Sequence, residues 1–174
     1  ILEKEEVAFL KQFKRAFAID GSVIALSSKL EKVFESVHKG KASLKLNAKY
    51  CLKLSVVTKL QVSSGRRHDS RFAFVTQEAN CLYLVDLGYW SFKLMQKMID
   101  AGSFFVMRLK KNCDPLIQAV SHVDYEHLIG KRLSEIGNFL DSQITNGSID
   151  FTVQLSKAKK PRFNTPVRLV GLFH

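Results

Sequence analysis

The chain has 174 residues, 46% of them hydrophobic, enough for one ordinary globular domain with a buried core. No apolar run is long enough to span a bilayer, and no signal-peptide pattern opens the chain. Three widely spaced cysteines fit neither a zinc site nor a disulfide framework, which favours a reducing compartment. We therefore expect a cytoplasmic protein with no membrane partner.

The net charge of +11 is unevenly distributed. Residues 39–71 contain nine basic residues and one acid, and residues 157–168 contain five basic residues and no acid. Clustered positive charge of this kind is typical of proteins that bind a phosphate backbone. The alternative is a solvated basic surface that only keeps the protein soluble.

Hydrophobic periodicity predicts strands alternating with helices. The predicted elements are a helix over 2–15, a strand over 17–19, a helix or loop over 27–38, strands over 44–54 and 57–62, a helix over 66–76, a strand over 82–85, a helix over 92–99 and a strand over 104–106. Beyond these we predict a helix over 128–140, a turn at 146–147, a strand over 149–155, a basic loop over 157–163 and a strand over 167–173.

The strand over 44–54 alternates between apolar and polar residues. Leu44 and Leu46 lie on one predicted face, and Lys45 and Lys49 lie on the other. We therefore expect a half-buried strand whose basic face points outward.

Residues 83–112 carry the most specific pattern in the chain. An apolar strand leads to Asp86, Gly88 breaks the strand, a helix follows, and Gly102 ends that helix before a second buried strand. A strand–helix–strand crossover favours parallel strands, and functional groups gather at the carboxyl ends of such strands. Asp86 falls at one of these ends.

This stretch resembles the second-aspartate segment of bacterial insertion-sequence transposases of the DDE class. The resemblance is to the subgroup whose third carboxylate lies in a tyrosine–arginine–glutamate–lysine signature. The matching residues are Asp86, Leu87, Gly88, Tyr89, Gly102, Phe104, Phe105, Arg108, Lys110 and Asn112. The resemblance implies an α/β fold, a ribonuclease-H-like mixed sheet flanked by helices. It also implies a catalytic core over 1–113 and the start of a β-rich insertion over 114–174.

The resemblance assigns Asp20 and Asp86 as catalytic carboxylates that bind Mg²⁺ or Mn²⁺ at neighbouring strand ends. The implied chemistry is DNA cleavage and strand transfer at the ends of a mobile element by two-metal catalysis. The family's third carboxylate lies on a helix after the insertion, and this chain contains no Tyr-x-x-Arg-x-x-x-Glu pattern. The chain also begins at Ile1 rather than Met. We therefore expect an incomplete catalytic fragment that is inactive by itself.

The family also implies partners: double-stranded DNA at the element ends and target, and a second copy of the protein in the DNA complex. The bacterial setting would make it nucleoid-associated. Family arginines at the position of Arg108 lie close to bound DNA, so we predict a phosphate contact there. The further predicted DNA-binding residues are Lys110, Lys45, Lys49, Lys53, Arg66, Arg67, Lys159, Lys160 and Arg162.

Simpler interpretations remain open for several of these residues. Asp20 and Asp86 are also suited to capping a turn or helix. Tyr89 is better explained by packing than by base stacking, and a structural hydrogen bond is the simplest role for Asp69.

Two alternative functions also remain. Another ribonuclease-H-like nuclease, such as a junction resolvase, would lack the Gly-Tyr crossover with its basic tail. A degenerate DNA-binding remnant without activity would be recognised by decay of the downstream Tyr-Arg-Glu-Lys helix, in sequence beyond residue 174.

Overall fold

Five strands of the first 108 residues form one mixed sheet in the computed structural model. The structure describes residues 8–72, 74, 78–137, 148–155 and 163–172. The elements of the first unit are β1 (Arg15–Leu26), β2 (Ala42–Cys51), β3 (Val56–Ser64), β4 (Cys81–Val85), α1 (Phe92–Asp100) and β5 (Phe104–Met107).

The strand order is β3-β2-β1-β4-β5. Strands β1, β2 and β3 form antiparallel pairs, whereas β4 runs parallel to both β1 and β5. The predicted crossover is therefore present as β4-α1-β5. This arrangement confirms the predicted ribonuclease-H-like mixed α/β fold, in which the first and fourth strands are neighbours.

Strand β1 is much longer than the three residues predicted for it. It pairs with β2 from Phe17 to Leu26, so extended backbone continues through Gly21, where the sequence suggested a turn. Ladder hydrogen bonds from a long neighbouring strand stabilise this extension against the local turn preference of Asp-Gly-Ser.

Helix α1 packs on one face of the sheet. Leu94 and Met98 share a buried cluster with Phe17 and Tyr83 from β1 and β4. The rings of Phe17 and Tyr83 stack with their centroids 5.4 Å apart, as the parallel register between these residues requires. This covered face is the core of the first unit.

The predicted orientation of β2 is wrong. Lys45, Asn47 and Lys49 face the core, with exposed fractions of 9%, 0% and 6%, whereas Leu44 and Leu46 are only half-buried. The register explains the inversion, because Lys49 pairs with the buried Ile19 and therefore shares its face. The ammonium groups of Lys45 and Lys49 have partners on this face, which offsets much of the free-energy cost of burying them.

Two predicted helices are wrong where the structure describes them. A 3-10 turn, Asp69–Arg71, is the helical element found within 66–72. Where a helix was predicted from residue 128, one 3-10 turn (Val123–Leu128) ends and another (Leu133–Glu135) follows. Gly130, between them, has a φ of +86°. That positive φ interrupts a helix. The predicted helix over 2–15 is described only from residue 8 and has ended by residue 11.

The second unit, residues 109–174, contains a three-stranded antiparallel sheet. Its strands are β6 (Leu116–Val120), β7 (Ser148–Gln154) and β8 (Val167–Leu172), in the order β6-β7-β8. The strands predicted near β7 and β8 are confirmed, whereas β6 was not predicted. The predicted turn at 146–147 and most of the basic loop over 157–163 lie outside the described residues. Across the described ranges, no helix has the length and apolar character needed to cross a membrane.

Candidate active site

The parallel ladder between β1 and β4 places Asp20 and Asp86 beside each other, at the point where that ladder ends. The last pair of this ladder joins Ile19 to Val85, and each predicted acid is the next residue on its strand. The amide of Asp86 also donates a hydrogen bond to the carbonyl of Ile19, 3.5 Å away. Both carboxylates are exposed to solvent.

Asp86 is held by three hydrogen-bond donors. Its Oδ1 accepts from the guanidinium of Arg108 at 2.7 Å, and its Oδ2 accepts from the amide of Gly88 at 3.3 Å. The Arg108 bond, followed by the bonds from the backbone of Leu87 and Gly88, holds the pKa of Asp86 below its ordinary value. Asp86 therefore stays ionised, as a metal ligand must be. It also caps the short 3-10 turn Leu87–Tyr89, so the two interpretations of this residue are compatible.

Asp20 lies within β1, opposite Ala48 of β2. Its Oδ1 accepts a hydrogen bond from the amide of the next residue, Gly21, at 2.7 Å. A local bond of this kind fixes the side chain beside its own backbone. Both acids are thus anchored by the glycine-containing segments that follow them.

Behind the two acids lies a buried polar network. The ammonium of Lys45 is 3.0 Å from Oδ1 of Asp69 and donates to the carbonyl of Arg67 at 2.8 Å. The hydroxyl of Tyr89 donates to Oδ1 of Asn47. Burial, reinforced by the carboxylates of Asp69, Asp20 and Asp86, raises the pKa of Tyr89. This hydroxyl therefore remains protonated and acts as a donor.

The exposed pair Asp20 and Asp86 fits a hard divalent cation that keeps several of its waters, because carboxylate oxygens are the ligands such ions prefer. In the part of the chain that the structure describes, no group of three or more acidic, histidine or cysteine side chains could hold a metal ion. The described residues thus place two exposed carboxylates, Asp20 and Asp86, beside each other.

The predicted DNA-binding residues fall into three sets. Lys45 and Lys49 are buried, so the prediction that they form an outer basic surface is wrong. Arg108, Arg66, Arg67 and Lys53 are exposed, and Lys110 is half-exposed. Lys159, Lys160 and Arg162 lie outside the described residues.

Each of the four exposed cations in the predicted set has a partner. Arg108 binds Asp86, and Arg66 binds a carboxylate oxygen of Glu35 at 2.8 Å. The Arg67 guanidinium lies 5.0 Å from the ring centroid of Phe72. Lys53 donates to the carbonyl of Phe13 at 2.7 Å. Solvent-exposed contacts of this kind are weak and can be exchanged for phosphate contacts.

The sequence patterns gave no role to Asn47, and for Asp69 they gave a structural hydrogen bond without its partner. One signal was available, because an uncharged Asn47 between two lysines of an alternating strand suggests a polar group with a buried partner. Asp69 gave a second signal as the single acid within the basic segment over 39–71. Neither signal identifies the residues that the side chains of Asn47 and Asp69 contact in the folded protein.

Comparison with known proteins agrees with this geometry. A family model described as a transposase DDE domain matches residues 11–163. The transposase for insertion sequence element IS231F of Bacillus thuringiensis subsp. israelensis is 25% identical over 142 residues. The aligned region is 79% of this chain and 30% of that relative, so the chain spans about a third of the relative's length. These matches favour a transposase over other ribonuclease-H-like nucleases.

Proposed function

Since the chain belongs to the transposase DDE domain family, we propose that it forms the part of a transposase that supplies two metal-binding carboxylates, Asp20 and Asp86. The observation that carries this proposal is the register of β1 and β4, which continues from Ile19 and Val85 into the two acids. The complete enzyme would cut DNA at the ends of a mobile element and join the freed 3′ hydroxyls to target DNA.

The two acids would hold Mg²⁺ or Mn²⁺, which supplies activation of the attacking oxygen and neutralisation of charge at the scissile phosphate. The protein's own contribution is to keep both carboxylates ionised and fixed in place. The lowered pKa of Asp86 supports the first task. The backbone bonds from Gly21 and Gly88 support the second.

Arg108 links this metal site to DNA. Its guanidinium binds Asp86 at 2.7 Å, yet its side chain is 73% exposed and can reach outward. An arginine binds carboxylate and phosphate with the same planar geometry, so a DNA phosphate can replace Asp86 as its partner. We assign Arg108 a phosphate contact next to the scissile bond, with Lys110, Arg66, Arg67 and Lys53 as further contacts and Lys159, Lys160 and Arg162 as predicted ones.

The second unit fits the start of a β-rich insertion that precedes the third carboxylate. Its three-stranded antiparallel sheet supports this assignment. The proposed division of the chain into a core over 1–113 and an insertion from 114 onward lies close to the division into compact units at 108 and 109. A protein dimer that pairs two DNA ends completes the proposal.

Binding of Mn²⁺ tests the metal site directly. Titration of the chain with millimolar Mn²⁺, followed by electron paramagnetic resonance of the free ion, should show one class of bound ion. Asp20→Asn and Asp86→Asn should each remove this binding. Asp100→Asn is the matched control, because Asp100 is an exposed acid on α1 of the same unit. Equal binding by the wild type and Asp86→Asn would rule out the proposed site.

A further inference from the structure

We propose that Asp69 is a positioning residue that holds together the two backbone segments carrying Asp20 and Asp86. This role rests on the metal site proposed above, and it goes further by assigning a third acid that fixes the geometry of the first two. Asp69 belongs to a 3-10 turn that is remote in sequence from both β1 and β4.

Asp69 approaches the backbone beside both acids. A Cβ atom built on Gly88 would lie 2.9 Å from Oδ2 of Asp69, closer than real Cβ contacts allow. A Cβ atom built on Gly21 would lie 3.5 Å from Oδ1 of the same carboxylate. Gly21 directly follows Asp20, and Gly88 lies two residues after Asp86. One carboxylate thus lies between the two segments, and at Gly88 the absence of a side chain is what permits this approach.

The charge of Asp69 is compensated from β2. Lys45 places its ammonium 3.0 Å from Oδ1 of Asp69, and the two side chains are only 11% and 24% exposed. A second bond from the same ammonium to the carbonyl of Arg67 ties the ion pair to the neighbouring loop. Breaking a buried ion pair leaves an uncompensated charge, so the pairing with Lys45 restrains the carboxylate of Asp69.

Two neutral side chains, Asn47 and Tyr89, also lie close to Gly21. The Cβ atom built on Gly21 would lie 2.9 Å from Oδ1 of Asn47 and 3.0 Å from the hydroxyl oxygen of Tyr89. These two atoms are hydrogen-bonded to each other. Tyr89 also belongs to the 3-10 turn that Asp86 caps, so it connects the end of β4 to β2. Asp69, Asn47 and Tyr89 together form the support beneath the two exposed acids.

This support predicts what happens when the charge of Asp69 is removed. The Asp69→Asn substitution keeps the shape of the side chain but removes the charge that attracts Lys45, so the group packed between the two glycine segments is held less firmly. Residues behind metal ligands commonly change metal affinity by about 10- to 100-fold when they are substituted. Because Asp69 acts through backbone segments, we expect a loss of about tenfold in Mn²⁺ affinity, at the lower end of that range.

A double variant separates positioning from stability. Asp69→Asn alone leaves Lys45 buried without its anionic partner, so it should also lower the melting temperature. Lys45→Met combined with Asp69→Asn removes both charges and should recover most of that thermal stability. If Asp69 positions the acids, the double variant should still bind Mn²⁺ about tenfold more weakly than the wild type.

An acid in the other unit provides the control for Asp69→Asn. Asp150→Asn breaks an ion pair with Arg168 in the other unit and should leave Mn²⁺ affinity unchanged. Wild-type affinity in Asp69→Asn, or recovery of affinity together with stability in the double variant, would overturn the positioning role alone. If Asp86→Asn also binds Mn²⁺ like the wild type, the metal site itself is wrong and the positioning role is overturned with it.

Discussion

The two faces of the five-stranded sheet differ in burial, and the more polar side of β2 lies on the buried face. The face covered by α1 contains Lys45, Asn47 and Lys49. On the opposite face Ala16 and Leu82 are buried in the centre, but apolar side chains of the outer strands β3 and β5 are open to solvent. Leu60, Val62, Phe104 and Val106 are 55%, 51%, 55% and 59% exposed.

The difference teaches that a whole sheet, rather than one strand, decides which face is covered. Phe17 and Ile19 of β1 pair with Cys51 and Lys49 of β2, so the apolar side of β1 brings the polar side of β2 inward. The lysines tolerate this position because their ends find partners. Lys49 places its ammonium 4.5 Å from the ring centroid of Phe17, and Lys45 binds Asp69.

Removal of one phenylalanine from each face should give the largest contrast. Phe17→Ala on the covered face removes a ring that is 2% exposed and should lower the free energy of unfolding by about 3–5 kcal/mol. Phe104→Ala on the open face should lower it by about 1 kcal/mol or less, because that ring is 55% exposed. Urea denaturation measures both. Equal losses would contradict the assignment of the two faces.

Two adjacent residues of β2 allow a sharper test with one substitution type. Lys45→Glu places a second buried carboxylate beside Asp69 and should lower the free energy of unfolding by about 3 kcal/mol. Leu46→Glu places its carboxylate on the half-exposed opposite face and should lower it by about 1 kcal/mol. Thermal melts of both variants decide the order. A larger loss in Leu46→Glu would restore the outward orientation of Lys45 that the sequence suggested.

Strand positions and the crossover were predictable because their signals are local. The run ending at Val85, the glycine at 88 and the helical stripe of α1 each follow from neighbouring residues. The end of β1, the orientation of β2 and the 3-10 turn found within 66–72 in place of a helix were not predictable. These features depend on the pairing of β1 with β2 and on contacts of the segment around Phe72 with the sheet.

The candidate site also has one part that the sequence predicted and one part that depends on contacts between distant residues. Asp20 and Asp86 were assigned by resemblance to a family, and the parallel register shows that they lie beside each other where the ladder of β1 and β4 ends. The contacts of Lys45, Asn47 and Asp69 were not predicted, because they join β2 to a distant 3-10 turn and to the turn after β4. Their contacts exist only after the sheet has formed.

Binding of double-stranded DNA should respond differently to the loss of an exposed cation and of a buried cation. Arg108→Gln removes an exposed guanidinium and should weaken DNA binding and reduce the slope of log affinity against log salt concentration by about one. Lys49→Met is the matched control, because it also removes one positive charge but from a buried position. Fluorescence anisotropy over a range of salt concentrations measures both slopes. Equal slopes for the two variants would remove Arg108 from the proposed DNA surface.

The smallest effect concerns the cost of burying Lys49. Burial, together with the nearby charge of Lys59, lowers the pKa of Lys49 below its ordinary value of 10.5. Below that lowered pKa the ammonium is charged in both the folded and the unfolded states, and only the folded state bears the cost of its burial. Lys49→Met should therefore raise the free energy of unfolding slightly, by roughly 0.5 kcal/mol, which is among the smallest changes typical of single substitutions.

The pH dependence has a defined sign. Between the lowered pKa of folded Lys49 and the ordinary value near 10.5, the unfolded chain binds more protons at this residue than the folded chain does. Wild-type stability therefore rises with pH in this alkaline window, and the contribution is absent from Lys49→Met. The advantage of the variant should shrink as pH rises from 7 towards the upper end of that window. Melting temperatures of both proteins across this range measure the difference, and an advantage that stays constant with pH would mean that the Lys49 ammonium is as well solvated in the sheet as in the unfolded chain.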